Sequence, residues 1–157
     1  MKEKTIKVLK IAPHCKPEIV TLINALESLQ EAVSEGADSV GLIEIIPITD
    51  TASILCNEEG KLNGSELNRA LRDEDGHIYD ILAGDFLIVG LGEEDFSSLS
   101  PELMAQFEKQ FHQPEMFVKL GRSIMALPLP DDKVKKPDAP EKSDIVPKKS
   151  TPDRDAL

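Results

Sequence analysis

Short aliphatic runs, each closed by a turn signal, constrain this chain more than any other feature. Thr5 to Ile11, Glu18 to Ile23, Val40 to Ile48, Ala52 to Cys56, Ile78 to Ala83 and Asp85 to Val89 are rich in Ile, Val and Leu. Runs this short, bounded by Gly, Pro and Asp, read as strands. None approaches the ~20 apolar residues that a membrane helix requires. Pro13 and Pro17 force a turn between the first two strands. Asp75-Gly76 favours a tight hairpin turn, so Asn68 to Arg72 is predicted to pair with Ile78 to Ala83.

Two helices interrupt the strands. Asn24 with Glu27 three residues on resembles a capping box, followed by Leu26, Leu29 and Val33 at helical spacing and a stop at Gly36. Ser100-Pro101-Glu102 combines a capping hydroxyl, a fixed φ and an anion near the positive helix end, with Leu103, Phe107 and Phe111 as the apolar stripe. Residues 116–127 read as a final edge strand. The order is roughly ββα-βββ(β)-α. It places the chain in the α+β class, with a small mixed or mostly antiparallel sheet and two helices.

The chain divides at Pro128 and Pro130. Residues 1–130 read as a single α+β domain. Residues 131–157 hold seven acids against seven bases, four prolines and few large apolar groups. That composition predicts a flexible tail. Because the tail is neutral, the net charge of −11 belongs to the body. Such an excess repels phosphate backbones, and with no Trp and one Tyr there is little to stack on bases. Direct nucleic-acid binding is not expected, nor is membrane insertion. Two cysteines, Cys15 and Cys56, read as reduced thiols in a cytosol.

Several motifs are rejected on chemistry. Gly90-Leu91-Gly92 lacks a third glycine, and Glu93-Glu94-Asp95 would repel a pyrophosphate, so it reads as a turn. Gly60-Lys61 lacks the rest of a phosphate loop. His14, Cys15, Cys56, His77 and His112 show no paired spacing for a metal ion. Neither thiol shows an activating partner, and no cofactor is implied. The carboxylate clusters Glu58-Glu59, Asp73-Glu74-Asp75 and Glu93-Glu94-Asp95 read either as solvated loop tips or as an acidic surface that imitates DNA toward a DNA-handling protein.

One constellation stands apart. Asn57, Glu58, Asn68, Arg69, Arg72 and Asp80 gather amides, cations and acids among strands. They form the candidate binding set, and no residue is assigned a catalytic or metal-binding role. Arg69 and Asp80 are expected to pair across the hairpin. Arg69 either holds that hairpin or binds a ligand's carboxylate or phosphate.

The same region carries a resemblance. Ile43-Glu44-Ile45-Ile46, Cys56-Asn57-Glu58-Glu59-Gly60-Lys61-Leu62, Asn68-Arg69-Ala70-Leu71, Ile78-Tyr79-Asp80-Ile81-Leu82-Ala83-Gly84 and Phe86-Leu87-Ile88-Val89-Gly90 resemble the bacterial family known as domain of unknown function 3846. The resemblance spans about residues 5–115, with Ala37-Asp38-Ser39 and the tail as departures. It implies an accessory protein of a phage or other mobile element, and it supplies no activity or catalytic residue. The expected function is therefore non-enzymatic, through a protein partner such as a host defence or DNA-processing protein. The alternatives are a small domain binding an anionic ligand at the Arg69 region, and an enzyme of unknown chemistry.

Overall fold

The structure is a computed structural model that describes residues 4–34, 42–58, 66–93 and 95–135. The expected helix stop at Gly36, the carboxylates Glu59 and Glu94, and the tail beyond Lys135 lie outside the described residues. The class is α+β, and among the described residues every pair of named strands is antiparallel.

Among the described residues the main sheet has six strands. Strands β1 (Thr5–Ile11), β2 (Glu18–Ile23), β3 (Ile43–Thr49), β4 (Ala52–Asn57) and β7 (Phe86–Leu91) run in the order β2-β1-β7-β4-β3, with the short β8 (Phe96–Ser97) added beside β7. A hairpin of β5 (Leu67–Arg72) and β6 (Ile78–Ala83) forms around Gly76, whose φ of 85° explains the glycine after Asp75. A second hairpin, β9 (Glu115–Leu120) and β10 (Ser123–Pro128), turns at Gly121.

Layers form on both faces of the sheet. Helix α1 (Leu26–Ala32) covers one face, packing Leu29, Ala32 and the following Val33 on Ile6, Val8, Leu55, Leu87 and Val89. Helix α2 (Pro101–Gln110) and the β5–β6 hairpin cover the other, joining Met104, Phe107, Phe111, Leu71 and Leu82 to Leu9, Ile11, Ile54, Phe86 and Ile88. Phe86 and Phe111 meet edge to face at 5.6 Å. Each large side chain buried in this way contributes roughly 1.5–3 kcal/mol. Being covered on both faces, β4 and β7 are apolar almost throughout instead of alternating.

The helix starts fare differently. Ser100 caps α2 as its sequence predicts, its Oγ accepting from the Leu103 amide at 3.2 Å. Asn24 does not cap α1. Its amide donates instead to the Phe96 carbonyl at 3.0 Å, tying the end of β2 to β8, and α1 begins two residues later without a side-chain cap. Residues 116–127 lie in two strands of a separate hairpin rather than on one sheet edge, because Gly121 at φ 59° reverses the chain. Gly90 belongs to β7 rather than to a turn. A Cβ there would collide with the Ser98 carbonyl oxygen, so glycine is required by the close approach of the next segment.

The body also extends past Pro130. Leu129 is buried, residues Asp131–Lys133 form a 3-10 turn, and the Lys135 amide donates to the His14 carbonyl at 2.7 Å.

Two stability measurements follow. Truncation after Lys135 should leave the melting temperature unchanged, whereas truncation after Pro130 should destabilise the fold by the loss of the Lys135–His14 backbone hydrogen bond, about 0.5–1.5 kcal/mol, and so lower that temperature. Gly90→Ala should destabilise by roughly 1–3 kcal/mol through overpacking against backbone, as a thermal melt would show.

Candidate functional site

Arg69 lies on β5 with 1% of its surface exposed, the largest fully buried side chain among the described residues. Burial of a cation is costly unless its donors are satisfied. Here the guanidinium reaches backbone oxygens from three parts of the chain. Its Nε and Nη2 donate to the Phe111 carbonyl at 3.1 and 3.0 Å. Nη2 also donates to the Cys15 carbonyl at 2.6 Å, and Nη1 donates to Asn68 through its side-chain oxygen at 2.9 Å and its carbonyl at 3.4 Å. Five N–H groups are all that a guanidinium has. Every donor nitrogen is engaged.

The acceptors are supplied by local structure. Phe111 caps the C-terminus of α2, where carbonyls lack helical partners and the helix dipole is negative. Cys15 follows His14, which takes a left-handed φ of 67°. That conformation costs a non-glycine residue roughly 1–2 kcal/mol. The turn lets neighbouring carbonyls serve opposite sides, with Cys15 facing Arg69 and His14 accepting from Lys135. Asn68 is fully buried, and its amide donates to the carbonyls of Ile11 and Gly84 at 2.9 and 2.8 Å.

Burial lowers the Arg69 pKa to about 10, against the opposing pull of the Glu115 carboxylate and of Cys15. The group stays cationic at neutral pH. Glu115, also buried, accepts from the Ala70 amide at 2.9 Å and from Arg72 at 2.6 Å. The β9–β10 hairpin thus hangs from β5 through one carboxylate.

The structure brings Asn68, Arg69 and Arg72 together and leaves the other candidates elsewhere. Arg69 stands opposite Leu82 and Asp80 opposite Leu71, so the expected direct pairing of Arg69 with Asp80 does not occur. Asp80 accepts from the Ile81 amide. Asn57 is buried on the opposite face of the main sheet, donating to Ser34 at 3.1 Å, and Glu58 is exposed beyond it. Glu115, Cys15 and Phe111 were not in the candidate set. Two of the three act through backbone oxygens, which residue type does not reveal. Glu115 had a weak signal, as an acid leading an apolar run, a position that Glu18 and Asp85 share. Elsewhere, Asp73, Asp75 and His77 place ligand atoms within 4.8 Å of one another, but the Asp73 carboxylate accepts from the Asp75 and His77 amides in an exposed turn.

The profile of the family described as Domain of unknown function (DUF3846) matches residues 6–112. The chain belongs to this family. The match begins in β1 and ends just after Phe111, so it contains the main sheet, both helices and the Arg69 donor set. The β9–β10 hairpin and its anchor Glu115 lie beyond it. Comparison with curated proteins and with solved structures found no match. No helix among the described residues is long and apolar enough to cross a membrane.

Replacing Arg69 tests this arrangement. Arg69→Ala orphans three sets of buried carbonyls and should cost ~3–5 kcal/mol. Arg69→Lys keeps the charge but loses the planar fork, and should recover less than half of that loss in a chemical denaturation series.

Proposed function

We propose that the protein is a non-enzymatic accessory factor of a phage or other mobile element, working in the bacterial cytoplasm by binding another protein. In its specific form it inhibits a host defence or DNA-processing protein. The observation that carries this reading is the apolar face of the β9–β10 hairpin. Its register puts Met116 opposite Leu127, Val118 opposite Met125 and Leu120 opposite Ser123, so five apolar side chains share one face. Leu120, Met125 and Leu127 are exposed by 54%, 43% and 37%. A two-stranded ribbon is marginal alone, yet this one is fixed at its base by Glu115 and by the Leu129 amide donating to Pro114. Contiguous exposed apolar surface on an anchored element suits docking, and methionine adapts to the partner's shape.

The body's charge of −11 selects the partner's chemistry. A basic protein with an apolar surface fits, steered by the long-range field and held by the hairpin. An anionic ligand at Arg69 is the weaker reading, since the guanidinium's donors are engaged by backbone and Asn68 oxygens.

The test compares the wild-type chain with a Leu120→Lys, Met125→Lys double variant as baits in a bacterial lysate. Both positions are exposed, so the variant should melt within ~0.5 kcal/mol of wild type per site. A stoichiometric partner should be retained by wild type and lost by the variant. Its association rate should fall several-fold from about 0.05 M to about 0.5 M salt. Equal retention by the variant, or a flat association rate, overturns the proposal.

A further inference from the structure

The two edges of the main sheet are unlike. On β3 the ladder is interrupted by a register shift between Pro47 and Thr49, and Pro47 has no amide to offer. Exposed Glu44 adds a charge there. These are the devices that blunt an edge against pairing. On β2, at the other end of the sheet, the ladder with β1 runs through six pairs without a shift. Between Glu18 and Asn24 there is no Pro, Lys, Arg or acid.

The phase of that ladder fixes which backbone groups face outward. The Asn24 amide donates to the Lys4 carbonyl at 2.8 Å, so Lys4–Asn24 is a hydrogen-bonded pair. Such pairs alternate in antiparallel sheets, which makes Ile6–Leu22 and Val8–Val20 the next two. Lys7 agrees: its amide and carbonyl turn away from β2, toward Ser98 and the Leu99 amide. The amides and carbonyls of Ile19 and Thr21 and the amide of Ile23 therefore point away from β1 without a bond among the described residues, while the Ile23 carbonyl accepts from the Ala25 amide at 2.8 Å. Among the described residues no strand lies beyond them. Their side chains are exposed, Ile19 by 55% and Ile23 by 63%.

The strand is also complementary to itself. In an antiparallel pairing centred on Thr21, Thr21 meets Thr21, Ile19 meets Ile23 and Val20 meets Leu22. Glu18 falls opposite Asn24, so the two acids never face each other. The Thr21 pair can exchange two N–H···O bonds, and each Ile19–Ile23 pair can make one, from the Ile23 amide to the Ile19 carbonyl. Centring on Ile19 instead would set Pro17 against Thr21, and centring on Ile23 would run into the start of α1. The Thr21 register sets Ile19 against Ile23 and Val20 against Leu22, matching apolar with apolar along the whole strand. A contact in which the same patch serves both copies is what a two-fold dimer requires.

We propose that two copies of this chain join edge to edge through β2, antiparallel about a two-fold axis at Thr21, so that the main sheet continues across the dimer. The contact is distinct from the β9–β10 face and does not depend on the function proposed above.

The test uses the full chain in sedimentation velocity over a concentration series, with cysteine cross-linking to read the register. Wild type should dimerise reversibly. Thr21→Pro removes an outward amide that makes no bond within the chain, and Thr21→Lys sets two like charges face to face at the axis. Each should raise the dimer dissociation constant at least about tenfold. Thr21→Cys should form an intermolecular disulfide on mild oxidation, since directly opposed residues lie within bridging distance. Ile19→Cys alone should not, while Ile19→Cys with Ile23→Cys should. A chain that stays monomeric throughout the series overturns the proposal. So does a dimer that survives both Thr21 variants, or one abolished instead by Leu120→Lys with Met125→Lys.

Discussion

A buried cation bonded almost wholly to backbone oxygens holds the described parts of this molecule together. Arg69 receives the last turn of α2, the turn before β2 and its own neighbour Asn68 on one planar group. Asn68 extends the same junction to the end of β1 and the β6–β7 turn. These segments are far apart in sequence. Oil-like packing cannot orient chain ends and turns, because it is non-directional. Directed donors can. Five fixed N–H vectors define where each carbonyl must lie, which is why arginine and not lysine suits the position.

That junction explains the division of labour across the sheet. On the α1 side, an ordinary apolar interface of Leu29, Ala32 and Val33 against Leu55, Leu87 and Val89 is enough. On the α2 side, a helix and a hairpin must share one face of the sheet. Phe107 and Phe111 fill the space between them, and Arg69 seals the rim. The bases placed inward on this fold are accompanied. Lys10 lies 3.5 Å from the Asp85 carboxylate, and Arg72 is held by Glu115. Glu115 has two duties, holding a β5 amide and partly offsetting the charge of Arg69. The appended hairpin is thereby tied to the electrostatics of the core.

Much of this architecture is legible from local signals. Ser100-Pro101-Glu102 starts a helix because cap, φ and dipole all act within one turn. Asp75-Gly76 makes its hairpin because the turn geometry is decided by two residues. The failures share a different cause. Asn24 could cap a helix, but a carbonyl 72 residues away competes for its amide, and no local rule sees that partner. Residues 116–127 read as one strand because their apolar content hides the single glycine that reverses them. Arg69 was recognisable as the cation that matters, but its partners were not. Carbonyl oxygens belong to every residue type, so a backbone-bonded arginine leaves no complementary acid in the sequence to find.

The family match sharpens what the hairpin means. It ends just after Phe111, so the acceptor carbonyls of Ile11, Cys15, Gly84 and Phe111 and the donors of Asn68 and Arg69 all fall inside it. Glu115 falls outside, yet its carboxylate reaches back to the amide of Ala70, one residue from the buried guanidinium. A saturated arginine does not require that carboxylate for its hydrogen bonds. What the carboxylate adds is a charge that opposes the desolvation of Arg69, together with a fixed attachment for a ribbon that could not hold its shape alone. An exposed apolar ribbon is a liability for solubility unless it has an occupant. Anchoring one to β5 through Glu115, while Leu120, Met125 and Leu127 stay exposed, keeps that surface presented in one orientation. On the proposed reading, binding at that surface loses less to ordering, because the ribbon is already fixed to β5.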